Sequence, residues 1–267
     1  DQVLATIEVG TRPRGVKVSP DGRTVYVALS GSPKCPPTMP DAECEKLQAH
    51  RSRDGIAVVD VTTRRVVRVL PGGSDPEQFD VSADGSTLYV SNEDAGLASI
   101  VDVASGKVVR SIDVGKEPEG VRLSADGKRV YVTSETDHVI NVIELPGGKV
   151  VAKVNVGRRP RDLGFTPDAK RAYVSAEVEG TVSVIDLDRN RVTATIRLPE
   201  NSKPMGVAVA TDGRRVYVAN GRGGTVAAID PATNTVVDTV RVGTRPWGIV
   251  LTPDGKKLYT ANGPSND

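Results

Sequence analysis

Apolar and polar residues alternate along this chain in short stretches, and the stretches return in a fixed order. Arg12–Ser30, RPRGVKVSPDGRTVYVALS, shows the start of the unit. A turn ends in Pro, a first strand follows, a Ser-Pro-Asp-Gly turn reverses the chain, and a second strand carries a Tyr. Alternation with period two and β-branched enrichment predicts half-buried strands. In the first copy these are Gly15–Ser19 (strand a), Thr24–Leu29 (b), Ile56–Asp60 (c) and Arg65–Leu70 (d). Strand c recurs as IAVVD, ASIVD, VINVIE, TVSVID and TVAAID. The prolines heading the copies are Pro13, Pro76, Pro118, Pro160, Pro204 and Pro246, at intervals of 63, 42, 42, 44 and 42 residues. Four short strands repeated at this period predict an all-β fold, a β-propeller of four-stranded antiparallel blades. Six copies are visible over one domain spanning 1–267. Seven blades are expected in the intact protein, with six as the alternative.

The turns carry their own signal. Asp21-Gly22, Asp84-Gly85, Asp126-Gly127, Asp212-Gly213 and Asp254-Gly255 supply the positive φ of a tight a–b turn. The fourth copy has Asp168-Ala169, so a looser turn or another type is expected there. Gln2–Gly10 reads as a strand d without its own blade, and the last copy ends after strand b. The long first interval holds an insertion, Gly31–Asp54, between strands b and c. It is Pro-rich and contains Cys35, Cys44 and His50. Such a loop without strand character points to function or mobility.

In a propeller the d–a turns and b–c loops share one face, and here that face carries the variety. Arg12, Asp75, Glu117, Arg159, Lys203 and Arg245 precede the head prolines; Arg14, Glu77, Glu119, Arg161, Met205 and Trp247 follow them. They are expected to ring the mouth of the channel, as a partner-binding face or as exposed ion pairs of small energetic weight. Glu93, Glu135 and Glu177 stand just after strand b in successive copies, where Asn220 and Asn262 stand in later ones. This oxygen-rich set is a candidate for a hard cation such as Ca²⁺. The alternative is that each Glu pairs with an Arg of the mouth. Lys17, Asp80 and Arg122 share one strand-a position and suggest an ion ladder.

Composition narrows the function. With 35 Lys+Arg against 34 Asp+Glu there is no global attraction to nucleic acid, and one Trp, two Phe and six Tyr offer few stacking platforms. No apolar run is long enough for a transmembrane segment. Cys35 and Cys44 read as one disulfide worth about 2–3 kcal/mol, which favours an oxidising compartment; two free thiols are the alternative. No Cys-x-x-Cys-His, phosphate loop or His-Glu-x-x-His is present. His50 and His138 sit in different loops, and no catalytic triad is indicated.

Tyr-Val-Ala-Asn (217–220), Tyr-Val-Ser-Asn (89–92) and Tyr-Thr-Ala-Asn (259–262) resemble the name motif of the YVTN-repeat β-propellers. Arg-Pro-Arg-Gly (12–15), Asp-Pro-Glu (75–77), Glu-Pro-Glu-Gly (117–120) and Arg-Pro-Trp-Gly (245–248) resemble the branch associated with pyrroloquinoline-quinone-dependent catabolism. That resemblance implies a periplasmic or extracellular accessory protein encoded near quinoprotein dehydrogenases and cytochromes. The function expected is therefore a non-catalytic scaffold that docks a protein partner, such as a quinoprotein dehydrogenase, cytochrome or membrane redox complex. The alternatives are a metal-dependent propeller hydrolase or lyase with its site at the channel mouth, and a cell-surface structural protein.

Overall fold

The computed structural model describes residues 2–33, 39, 43 and 46–263. Cys35 and Cys44, with the disulfide expected between them, lie outside the described residues. The fold is all-β, with propeller blades of the expected kind: five four-stranded antiparallel sheets and one two-stranded sheet among the described residues. Two compact units are distinguished, Asp1–Leu123 and Ser124–Asp267.

The first unit contains β1 (Pro13–Val18), β2 (Thr24–Leu29), β3 (Gly55–Asp60) and β4 (Arg65–Leu70) in one sheet, in that order. A second sheet follows from β5 (Pro76–Val81), β6 (Thr87–Asn92), β7 (Leu97–Asp102) and β8 (Lys107–Asp113). Strand β9 (Pro118–Leu123) closes the unit. The second unit opens with β10 (Arg129–Ser134), β11 (Val139–Glu144) and β12 (Lys149–Asn155). One complete sheet then comprises β13 (Pro160–Phe165), β14 (Arg171–Ala176), β15 (Thr181–Asp186) and β16 (Arg191–Arg197). The next comprises β17 (Pro204–Val209), β18 (Val216–Asn220), β19 (Thr225–Asp230) and β20 (Thr235–Arg241). A two-stranded sheet of β21 (Pro246–Leu251) and β22 (Leu258–Asn262) ends the unit.

Burial explains the strand sequences. The c strands β3, β11 and β15 are buried along nearly their whole length, hence their continuous apolar runs. The d strands β4, β12 and β16 are largely exposed and mix Val with Arg, Lys or Thr. In the first unit Tyr26, Ile56, Leu70, Phe79, Leu88 and Val101 form one core. In the second, Leu163 and Ile185 belong to one cluster, and Tyr173, Val184 and Ile229 to another.

Neighbouring blades are also stitched by polar bonds from b-strand hydroxyls and strand-a carboxylates. Ser91 Oγ donates to the Glu119 carbonyl at 2.5 Å, and Thr133 Oγ1 to the Arg161 carbonyl at 3.3 Å. Asp80 Oδ2 accepts from the Leu123 amide at 2.8 Å, and Asp162 Oδ2 from the Val207 amide at 3.0 Å. Asp80 also pairs with Lys17 at 3.3 Å, a rung of the expected ladder.

Two expectations about local structure are corrected. Gln2–Gly10 forms no strand. A strand needs a partner edge, and within the first unit both c strands already pair with their own d strands. The Asp168-Ala169 turn is not looser. The Ala169 amide donates to the Thr166 carbonyl at 2.9 Å, matching Gly85 to Ser82 at 2.8 Å, and Ala169 takes φ +53° to do so.

Candidate functional site

The strand heads are built alike in both units. Every residue before a head proline has a positive φ: Arg12, Asp75, Glu117, Arg159, Lys203 and Arg245 lie between +43° and +60°. None is Gly, so each carries left-handed strain of about 1 kcal/mol or more. In β1, β5, β13, β17 and β21 the pairing register slips just after the proline. A bulge of this sort re-aims side chains. It turns Arg14, Glu77, Arg161 and Met205 into half-buried or buried positions. The exposed ion pairs expected from the sequence are therefore corrected: Glu77 is fully buried and Arg161 is only 7% exposed.

In the first unit carboxylates predominate at this position. Arg14 forms an ion pair with Glu77 through Oε2. Burial opposes the Arg14 charge, but Glu77, Glu119 and Glu93 around it raise its pKa. The other Glu77 oxygen, Oε1, is buried and receives no hydrogen bond. Single oxygens of Asp75, Glu77 and Glu93 lie within 4.8 Å of one another. Burial first, and then Glu119, raises the pKa of Glu93; the same causes push Glu77 well above the ordinary value for Glu.

The insertion supplies the wall of this cluster. Gly31 is packed so closely that a Cβ would fall 1.9 Å from the His50 carbonyl oxygen. Its amide donates to Asp54 Oδ1 at 2.6 Å, and the His50 amide returns a bond to the Gly31 carbonyl at 2.8 Å. Asp54 Oδ2 accepts from the Asp75 amide at 3.0 Å. Ser30 and Ser32 hydroxyls donate to the two Asp75 oxygens, Ser32 at 2.6 Å. Arg51 pairs with Asp54 at 3.2 Å, reaches Asp75 at 3.8 Å, and also pairs with Asp94.

In the second unit arginines answer the acids. Glu135 receives Arg159 Nε at 2.5 Å and a guanidinium nitrogen of Arg161. A single Glu177 oxygen, Oε2, receives both Arg161 Nε at 2.7 Å and Nη2 at 2.6 Å. Trp247 lies against two guanidiniums, Arg245 at 5.1 Å and Arg161 at 5.5 Å from the ring centroid. Burial lowers the Arg245 pKa, Glu177 partly offsets it, and Arg222, Arg161 and Arg159 lower it further. Lys203 lines a cleft of about 330 Å³ with Glu179, Arg197 and Glu200.

The structure thus divides the sequence-predicted cation set. Glu135 and Glu177 are engaged by arginines, whereas Glu93 joins Asp75 and Glu77. Asn220 is fully buried and donates to Thr225 at 3.0 Å, a bracing role at the b–c connection. His138 Nδ1 lies 2.6 Å from the Glu135 carbonyl, and His50 serves the insertion stem through its backbone. Sequence reasoning missed Asp75 and Glu77 as partners of Glu93, along with Ser30, Ser32, Arg51 and Asp54. The available signal was that Asp75, Glu77 and Glu93 belong to one repeat.

Blades of this kind define a β-propeller protein. Residues 41–124 match the YNCE-like β-propeller family model, and residues 147–267 match the model for lactonase, a seven-bladed β-propeller. No curated protein matches the chain. Among solved structures, a candidate 6-phosphogluconolactonase from Bacteroides uniformis is similar with TM-score 0.78 and 20% identity, over 99% of this chain and 81% of that one. A chain of Kuenenia stuttgartiensis hydrazine synthase is similar with TM-score 0.65 and 20% identity, over 100% of this chain and 97% of that one. At these identities the neighbours establish the fold. The lactonase match contradicts the expected non-catalytic scaffold and favours the enzymatic alternative.

Proposed function

We propose that the protein is a lactonase-like hydrolase that opens a cyclic ester carrying an anionic group. The observation that carries this reading lies inside the stretch similar to lactonase. There Arg161 and Arg245 flank Trp247, and Glu177 sits beside Arg161. Ester hydrolysis needs a base for water and positive charge where the carbonyl oxygen becomes an oxyanion. Glu177 is the base: it takes a proton from water as the water oxygen bonds to the carbonyl carbon. Arg245, surrounded by other arginines, holds the developing oxyanion. The ring C–O bond then breaks, and the alkoxide leaving group takes the proton back from Glu177, giving a hydroxy acid. Arg159 and Lys203 attract the anionic substituent.

The test compares glucono-δ-lactone with 6-phosphoglucono-δ-lactone, following acid release against the spontaneous rate. The phosphorylated lactone is expected to be preferred. Glu177→Gln should lower kcat by about 10²-fold or more, and Arg245→Ala should lower kcat by a similar factor with little change in KM. Hydrolysis of both lactones at only the spontaneous rate would refute the reading. Placement in the YVTN branch linked to quinone-dependent catabolism, export to an oxidising compartment, and a Cys35–Cys44 disulfide are proposed alongside it. Intact mass before and after reduction and alkylation checks the disulfide.

A further inference from the structure

We infer that Asp75, Glu77 and Glu93 form a divalent-cation site in the first unit, of the hard, oxygen-liganded class that Ca²⁺ represents. Two observations converge on it. The first is the ligand geometry: one oxygen from each of the three carboxylates lies within 4.8 Å of the others. Ligand oxygens of one Ca²⁺ stand no more than about 5.2 Å apart, twice the metal–oxygen distance, so one ion can reach all three.

The second is an unsatisfied oxygen. Glu77 is fully buried, Arg14 engages its Oε2, and Oε1 has no donor. An unbonded buried carboxylate oxygen is costly. Either a proton or a cation must relieve it. Glu77 and Glu93 lie close enough to share a proton when no ion is bound. Nearby, Arg14 faces the charges of Glu77, Glu119 and Glu93, and Arg51, at 3.8 Å from Asp75, is also paired with Asp54 and Asp94.

The surroundings fit a built site. Ser30 and Ser32 orient Asp75 and leave it lone pairs to spare, since a carboxylate accepts at about four positions. The Glu93 amide donates to the Asp75 carbonyl at 3.0 Å, which fixes the b–c loop against the strand head. Glu93 is partly exposed and gives an ion its way in. All the ligands are oxygens, so Zn²⁺ and Cu²⁺ are disfavoured. This site stands whether or not the chain hydrolyses lactones.

The experiment uses the full chain, dialysed against chelator and then given CaCl₂, MgCl₂ or MnCl₂ alone. Calcium at about 100 times its Kd should raise Tm by about 5 °C. Calorimetry in buffers of different ionisation enthalpy should show proton release, because the ion displaces the shared proton. Glu77→Gln and Glu93→Gln should each abolish the shift. Glu93 is partly exposed, so its variant decides the matter if Glu77→Gln does not fold. A Tm unmoved by all three ions shows a proton site only and overturns the inference. A shift retained in Glu93→Gln places the ion elsewhere and also overturns it. Calcium binding without lactone hydrolysis would refute only the hydrolase.

Discussion

The heads of the first and second units occupy the same strand position, with the same strained residue before a proline and the same following bulge, yet they resolve their charge in opposite ways. Around Glu77 three glutamates set their charge against Arg14, and a Glu77 oxygen is left without a donor. Around Glu135 and Glu177 two arginines take up the acids, and a third, Arg245, leans on Trp247. The backbone supplies a socket, and the residues on either side of the proline decide whether it attracts cations or anions. Two different chemistries can therefore be changed without redesigning the fold.

The largest expected effect separates the two sockets by stability. Glu135→Ala takes from buried Arg161 one of its two carboxylate partners, leaving Glu177, and removes a partner from Arg159 as well. Breaking a buried pair from one side costs about 3–5 kcal/mol, and the remaining Glu177 holds the loss to the low end. Glu77→Gln in metal-free protein should cost less, because Glu119 and Glu93 also set negative charge against Arg14. Urea denaturation of both variants measures the contrast. Equal losses would show that the two sockets are the same device.

A smaller effect comes with pH. Burial and neighbouring acids raise the Glu77 and Glu93 pKa values above the unfolded carboxylate value of about 4.3. Their stabilising contribution is full below that pH and is lost as pH rises through the raised native values. Each such proton contributes a slope of about 1.4 kcal/mol per pH unit over that window. The turn aspartates act in the opposite sense. Hydrogen bonds from Ser82 and Ser86 hold Asp84 down to about 2, so its contribution is lost as pH falls from near 4 towards 2. Glu77→Gln should flatten only the limb above pH 4.3. A metal-free stability curve that the substitution leaves unchanged would contradict the shared proton.

Local chemistry made the fold legible in the chain. The Asp-Gly turns, the Tyr of strand b and the apolar strand c each have a cause within a few residues, and strands b and d of the first copy begin and end where the alternation places them. What could not be read depended on distant partners. Arg14 meets Glu77 across 63 positions, and Arg51 reaches Asp94 across 43. No periodicity announces that Glu93 joins Asp75 while Glu135 joins Arg161. Burial of the charged heads was missed for a similar reason: the bulge that turns them inward follows from pairing with strand b. Gln2–Gly10 has strand composition, but a strand exists only where an edge receives it.

The smallest expected effect tests the shared backbone by its one exception. Five a–b turns place Gly at the left-handed position, with φ between +67° and +73° at Gly22, Gly85, Gly127, Gly213 and Gly255. The second unit alone places Ala there, at Ala169. The hydrogen bond is kept, so the turn itself is not weakened; the cost is the clash of a Cβ in the left-handed region, about 1 kcal/mol. Ala169→Gly should therefore raise stability by about 1 kcal/mol, less what Gly adds to the entropy of the unfolded chain. The reverse change, Gly127→Ala, meets no atom within 4 Å of its new Cβ and so isolates backbone strain from packing. It should cost about as much as Ala169→Gly gains. If thermal unfolding finds both changes neutral, the turn tolerates Ala without strain. The positive φ shared by the six strand heads would then lose its weight as a sign of stored strain at the sockets.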